Sequence, residues 1–244
     1  MKVMKVFRHC WSVLALLSLL LAVAASARAQ AQQPDEASVI RGVDAAVKAR
    51  LDGIAAYTVT EHYAVYRNSD NTHPAAEMTV KTTYQKETGK SYAILSESGS
   101  GMMRRLILDS ILDDEKRINQ PGVRESSWLT SANYDMKLKP GGTQRVDGRD
   151  CFVLAINPRQ KAPNLIVGTI WVDTRDKSIV QLEGTASKNV SHFTGPTQMM
   201  RQYANVDGFS MATRARAESD SRLFGRTVVT IDYSGYAIQM RAVR

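Results

Sequence analysis

The sequence predicts a mainly β domain: about ten or eleven antiparallel strands in one curved sheet, with an N-terminal helix and one apolar helix inserted between strands. Three observations predict it. Cys151 to Gly184 holds three apolar, β-branched-rich runs separated by the polar turns Arg159–Pro163 and Thr174–Lys177, the pattern of a three-stranded meander. Alternation of period two recurs on both sides of that stretch. Helical periodicity is strong at only two places, Asp35 to Leu51 and Met102 to Ile118.

In Asp35 to Leu51, Val39, Val43, Val47 and Leu51 recur every four residues, Asp35 and Glu36 sit at the positive end of the helix dipole, and Gly53 ends the pattern. So narrow a stripe suits a helix lying on a sheet. Tyr57 to Tyr66 follows as a strand, with Tyr57, Val59, Tyr63 and Val65 on one face and Thr58, Thr60 and His62 on the other. Ala76 to Tyr84 alternates as cleanly, and Lys90 to Glu97 pairs back through Tyr92 and Ile94 after the turn at Glu87-Thr88-Gly89. Ser98-Gly99-Ser100-Gly101 then forms a flexible cap and hinge ahead of the apolar helix. On that helix Met103, Leu106, Ile107, Ile111 and Leu112 form the greasy side, while Arg104, Arg105, Asp109, Asp113 and Asp114 lie elsewhere on the cylinder.

A short helical or irregular piece carries Trp128 and Leu129. Strands resume at Tyr134–Lys139 and Thr143–Val146, and Asp147-Gly148 makes a hairpin turn into the central meander. After a loop at Lys188–Pro196 come Gln198 to Val206, a turn at Asp207-Gly208, Phe209 to Ser219, a turn at Leu223–Gly225, and Thr227 to Tyr236.

Residues 1–29 stand apart from this domain. Lys2, Lys5 and Arg8 precede an apolar run, Val13 to Ala25, and Ala25-Ser26-Ala27 and Ala27-Arg28-Ala29 both suit signal-peptide cleavage. The run falls short of the roughly 20 residues of a spanning helix. An exported protein without a stable membrane span is expected, with residues 30–244 as one domain. Without Lys2, Lys5, Arg8 and Arg28 the net charge falls from +8 to +4, and the remaining basic residues are scattered, which argues against nucleic-acid binding. Cys151, left as a single thiol, reads as a small buried hydrophobe.

No catalytic constellation stands out. The chain holds no G-x-S-x-G, H-E-x-x-H, C-x-x-C or phosphate-loop pattern, and His62, His73 and His192 lie in separate segments. Asp109, Asp113, Asp114 and Glu115 lack the spacing of a calcium loop and read as a solvated helix face. An enzyme is not expected, nor any metal or cofactor. The apolar helix has two readings. It is ordinary core, or it plugs a sheet too large for its own side chains to fill: eight closed strands fill their interior, whereas eleven in one curved sheet leave room for a ligand.

Asn133-Tyr134-Asp135, the Gly168–Asp173 strand followed by Ile179–Gly184, and Gln202-Tyr203, set in this order of elements, resemble the periplasmic outer-membrane lipoprotein-sorting and lipoprotein-carrier superfamily (LolA/LolB-like, with the N-terminal domain of the regulator RseB). The resemblance spans most of residues 35–236. It implies an unclosed antiparallel β-barrel with a helical lid over a hydrophobic cavity that holds acyl chains in the bacterial periplasm. On that basis Tyr57, Tyr63, Met78, Tyr92, Ile94 and Trp171 are expected to line the cavity, under a lid of Met103, Leu106, Ile107, Ile111 and Leu112. Arg104 and Arg105 are the candidate polar contacts of the lid. The expected partner is a lipid or lipoprotein acyl chain; the alternative is an envelope-stress or assembly factor that binds a protein through the same sheet.

Overall fold

A computed structural model of the chain describes residues 35–68, 70–188, 196–221 and 225–241. The expected signal peptide, His192 and the turn at Leu223-Phe224 lie outside the described residues.

The described residues form ten antiparallel strands in one sheet: β1 (Ile54–Arg67), β2 (Ala76–Gln85), β3 (Gly89–Gly99), β4 (Tyr134–Val146), β5 (Arg149–Pro158), β6 (Ile166–Asp173), β7 (Ile179–Ala186), β8 (Gln198–Val206), β9 (Phe209–Ser221) and β10 (Gly225–Met240). Helix α1 (Glu36–Gly53) precedes them, and helix α2 (residues 101–118) joins β3 to β4. The order across the sheet is β3-β2-β1-β10-β9-β8-β7-β6-β5-β4. Helix α2 therefore carries the chain from one edge of the sheet to the other, and a meander leads back to β1. Because β3 and β4 never pair, the sheet stays unclosed.

The strand count settles at ten because Tyr134–Lys139 and Thr143–Val146 are one strand. Pro140 lacks an N–H for the ladder, and Gly141 and Gly142 take positive φ of 113° and 78°. The residues between Leu138 and Thr143 bulge out of register, yet both flanks stay paired with β5. At Gly168 and Gly184, β6 and β7 come so close that a Cβ on Gly168 would lie 2.0 Å from the Glu183 carbonyl oxygen.

Both helices cover one face. Directly opposed residues of neighbouring strands share a face, and one such row runs from edge to edge through Leu138, Leu154, Ile170, Leu182, Arg201, Ala215, Ile231, Tyr63, Met78 and Glu97. Helix α1 buries Val39 and Val43 against the β4–β7 part of this face, in a cluster with Tyr134, Leu154, Ile170 and Leu182. The α1 carboxylates tie it down: Glu36 accepts the Leu138 backbone N–H (2.9 Å) at the start of the bulge, and Asp44 accepts the N–H and hydroxyl of Ser131 (2.7 and 2.6 Å). Helix α2 buries Met103, Leu108 and Leu112 against the β1, β2, β9 and β10 part, with Tyr63, Met78, Val80 and Ile231.

Candidate ligand-binding face

Between the two covered halves lies β8. It is an interior strand of the sheet, yet none of its residues is buried, and Met199, Arg201 and Tyr203 are all half-buried. The gap between α1 and α2 thus leaves a strip of the inner face open. An interior strand normally buries its inward side chains, and β8 departs from that.

The shape of α2 decides what faces the strip. Ser100 caps it, its hydroxyl accepting the Met103 N–H (3.4 Å), and the chain passes from the α turn Gly101–Met103 into a π turn, Arg104–Leu108, before resuming as Asp109–Ile118. A π turn adds one residue to the helical repeat and advances the phase of everything after it. The inward positions become Met103, Leu108, Leu112, Glu115 and Asn119. Leu106, expected on the inner side, is turned out and 51 % exposed, while Ile107 and Ile111 are half-buried at the margin.

Glu115 is consequently not part of a solvated acidic face. Its carboxylate accepts from Lys90 Nζ of β3 at 2.6 Å and from Asn119 Nδ2 at 3.2 Å, and Arg201 of β8 approaches it at 3.7 Å. The Glu115 and Lys90 side chains are only 18 % and 12 % exposed. Burial by itself raises the Glu115 carboxyl, but the charges of Lys90 and Arg201 and the hydrogen bonds of Lys90 and Asn119 outweigh it and hold the group down at about 2. Burial pulls Lys90 downward, and Glu115 more than offsets this, keeping the ammonium well above its ordinary range. The pair is therefore charged at every physiological pH.

Tyrosines surround this ion cluster. Tyr63 donates its hydroxyl to the buried carboxylate of Glu61. Tyr57 stacks on Tyr84 (centroids 4.9 Å apart) and meets Tyr236 at a tilt, and the Tyr84 hydroxyl accepts from Arg124 at 3.0 Å. Burial raises Tyr63, Tyr92, Tyr233 and Tyr236, so all four stay protonated as hydrogen-bond donors. The Tyr92 hydroxyl and the Thr82 hydroxyl opposite it are buried with no partner among the described residues.

The register brings Tyr57, Tyr63, Met78, Tyr92 and Ile94 onto one face, together with Met103 and Leu112 from above. Tyr63, Met78 and Met103 are fully packed; Ile94 is 53 % exposed beside the sheet edge. Trp171 is not on this face: it alternates with Ile170 and Val172 of the α1 cluster and donates its ring N–H to Gln144 at 2.9 Å. Arg104 reaches Glu97 of β3 at 3.9 Å, and Arg105 is exposed. His62 lies on the far face between Thr79 and Glu77 (3.2 and 3.3 Å), and His73 pairs with Asp70 in the β1–β2 loop. No cluster of three metal-ligating side chains occurs among the described residues.

Sequence reasoning missed Lys90, Glu61, Glu115, Arg201 and Tyr233. Lys90 and Glu61 carried a signal, each sharing the inward alternation of its strand with Tyr92 or Tyr63. Glu115 also carried one, lying four residues after Ile111 and three after Leu112 on the apolar side of the helix.

No family model matches the chain, and no curated protein matches it. Among solved structures it is similar to a domain from Vibrio parahaemolyticus named for outer membrane lipoprotein sorting, at 14 % identity and a TM-score of 0.45 over 81 % of this chain and 91 % of that one. It is similar to a LolA superfamily protein from Nitrosomonas europaea, at 13 % identity and a TM-score of 0.44 over 87 % and 96 %. A third is a DUF1329 family protein from Desulfovibrio piger, at 16 % identity and a TM-score of 0.41 over 82 % and 93 %.

Proposed function

We propose that this protein is an exported, periplasmic carrier or receptor that holds a lipid or lipoprotein acyl chain along the open strip beside β8, with residues 30–244 acting as one domain and α2 as the movable cover. The single observation that carries this reading is an interior strand without one buried residue, flanked on the same face by two helix-covered apolar halves. Aliphatic and aromatic side chains border the strip, and burying each methylene of an acyl chain contributes roughly 0.8 kcal/mol, so a long chain binds without many polar contacts. The glycine-bearing hinge, Gly99-Ser100-Gly101, supports a cover that moves as a unit. Native mass spectrometry of the protein released from its own cell envelope tests the reading: co-purified lipid mass that disappears on delipidation and returns on adding lipid is expected. A preparation that neither carries lipid nor rebinds it sinks the carrier.

A second reading, an envelope-stress or assembly factor that binds a protein, draws on a different region. Ile94 and Leu95 on the unpaired edge strand β3, and Met102 and Leu106 on the adjoining start of α2, are large apolar side chains left more than half exposed. Free edges of this kind accept an added strand. Capture of a polypeptide that survives delipidation, and is lost in Leu95→Lys, would favour this role.

A further inference from the structure

Along the row that crosses the inner face from Leu138 to Met78, eight of the nine residues are apolar or aromatic and one, Arg201, is charged. It sits near the middle of the sheet, on β8, between Leu182 and the small Ala215. Placing a guanidinium there is costly unless something takes its five donors. The protein supplies little. Tyr233 and Tyr203 lie near it, and its approach to Glu115, at 3.7 Å, is too long for a hydrogen bond. The carboxylates named on this side are already engaged: Glu115 by Lys90 and Asn119, Glu61 by the Tyr63 hydroxyl, and Glu97 by Arg104. The Arg201 side chain remains 40 % exposed to the strip.

We propose that Arg201 is the head-group anchor of the binding strip, and that the ligand is an amphiphile whose acyl chain lies in the strip and whose oxyanion, a carboxylate or a phosphate, docks on this guanidinium. The inference rests on the carrier reading and adds to it the chemistry of the head. A planar fork of N–H donors matches either oxyanion in a bidentate fashion, which neither lysine nor a tyrosine hydroxyl does. The neutral tyrosines Tyr203 and Tyr233 beside it add donors and no competing negative charge.

Three probes of equal chain length separate the possibilities: palmitate, hexadecyl phosphate and hexadecanol, titrated into delipidated protein at a pH where the first two are ionised. The wild type is expected to bind at least one anion about tenfold or more tightly than the alcohol, the size of a single good charge-assisted contact. Preference for the carboxylate marks a fatty-acid-like ligand, and preference for the phosphate a phospholipid-like one. Arg201→Gln is expected to erase the preference while leaving hexadecanol affinity within about twofold, and Arg201→Lys to keep part of it. Equal affinity of the wild type for all three probes overturns the anchor and leaves the carrier reading standing, and this arm needs no variant to fold. An undiminished preference in a folded Arg201→Gln protein overturns it as well. Binding of none of the three removes the carrier reading and the anchor together.

Discussion

The two halves of the inner face each bury an apolar cluster under a helix and hold their helices by different physics. Under α1 the contact is hydrocarbon: Val39 and Val43 rest on Leu154, Ile156, Ile170 and Leu182, and the carboxylates of α1 serve only its margins. Under α2 the apolar contacts of Met103, Leu108 and Leu112 share the interface with a buried ion cluster, Lys90–Glu115 with Arg201 beside it. Hydrocarbon contact is indifferent to pH and salt and is lost gradually. A buried ion pair gives little net stability relative to an apolar replacement, but removal of one member is severe because the other charge is left stranded. The comparison teaches that α1 is held at its core by hydrocarbon contact, and α2 by hydrocarbon contact together with a few electrostatic contacts.

Removing the carboxylate tests this most sharply. Glu115→Gln strands the Lys90 ammonium and is expected to cost about 4 kcal/mol in urea unfolding, with faster hydrogen exchange in α2 and β3 than in α1. Should α1 loosen equally, the two halves are one cooperative unit and the contrast fails. On the other side, Leu154→Ala leaves a cavity under α1 and is expected to cost about 3 kcal/mol. That loss should be the same at neutral and acid pH, as thermal melts at both will show.

Acid provides the next effect. Glu115 is held at about 2 in the fold against an ordinary 4.5, so the folded state binds its proton less readily than the unfolded one. Its contribution is fully present above pH 4.5 and drains away as pH falls toward 2, about 3 kcal/mol in all. The slope of stability against pH in that window should flatten in Glu115→Gln; an unchanged slope would assign the acid sensitivity to other carboxylates. Smallest is the Tyr92 hydroxyl, buried without a partner among the described residues. Tyr92→Phe removes an unsatisfied polar group at constant shape and is expected to stabilise the ligand-free protein by about 1 kcal/mol. A loss of stability of that size would reveal a bound water or partner there.

Much of the sheet was legible because alternation of period two reports directly on which side of a strand is covered. Alternation sets Tyr57 and Tyr63 on one face of their strand, and the register adds Met78 and Tyr92 to that face. Trp171 was misplaced for the same reason that makes alternation useful: in β6 both faces carry apolar residues, so the pattern has no phase, and pairing with Val153 and Gln181 put it on the far side. Leu106 turns out because one π turn shifts the helical phase by a residue, and no spacing rule for a regular helix contains that shift. Pro140-Gly141-Gly142 looked like a break between two strands, since composition marks an irregularity without saying whether the ladder resumes beyond it.

By itself the sequence determined the class of the fold, the number of covering helices and most of the apolar residues between them, because periodicity in a chain follows from burial of one side of each element. The tertiary structure alone decided that β8 lies between the covers, that Arg201 falls at the centre of an apolar row, and that Glu115 meets Lys90. Each of these depends on which distant strands become neighbours and in what register, and pairing across so many residues is set by the whole sheet at once rather than by any local run of side chains.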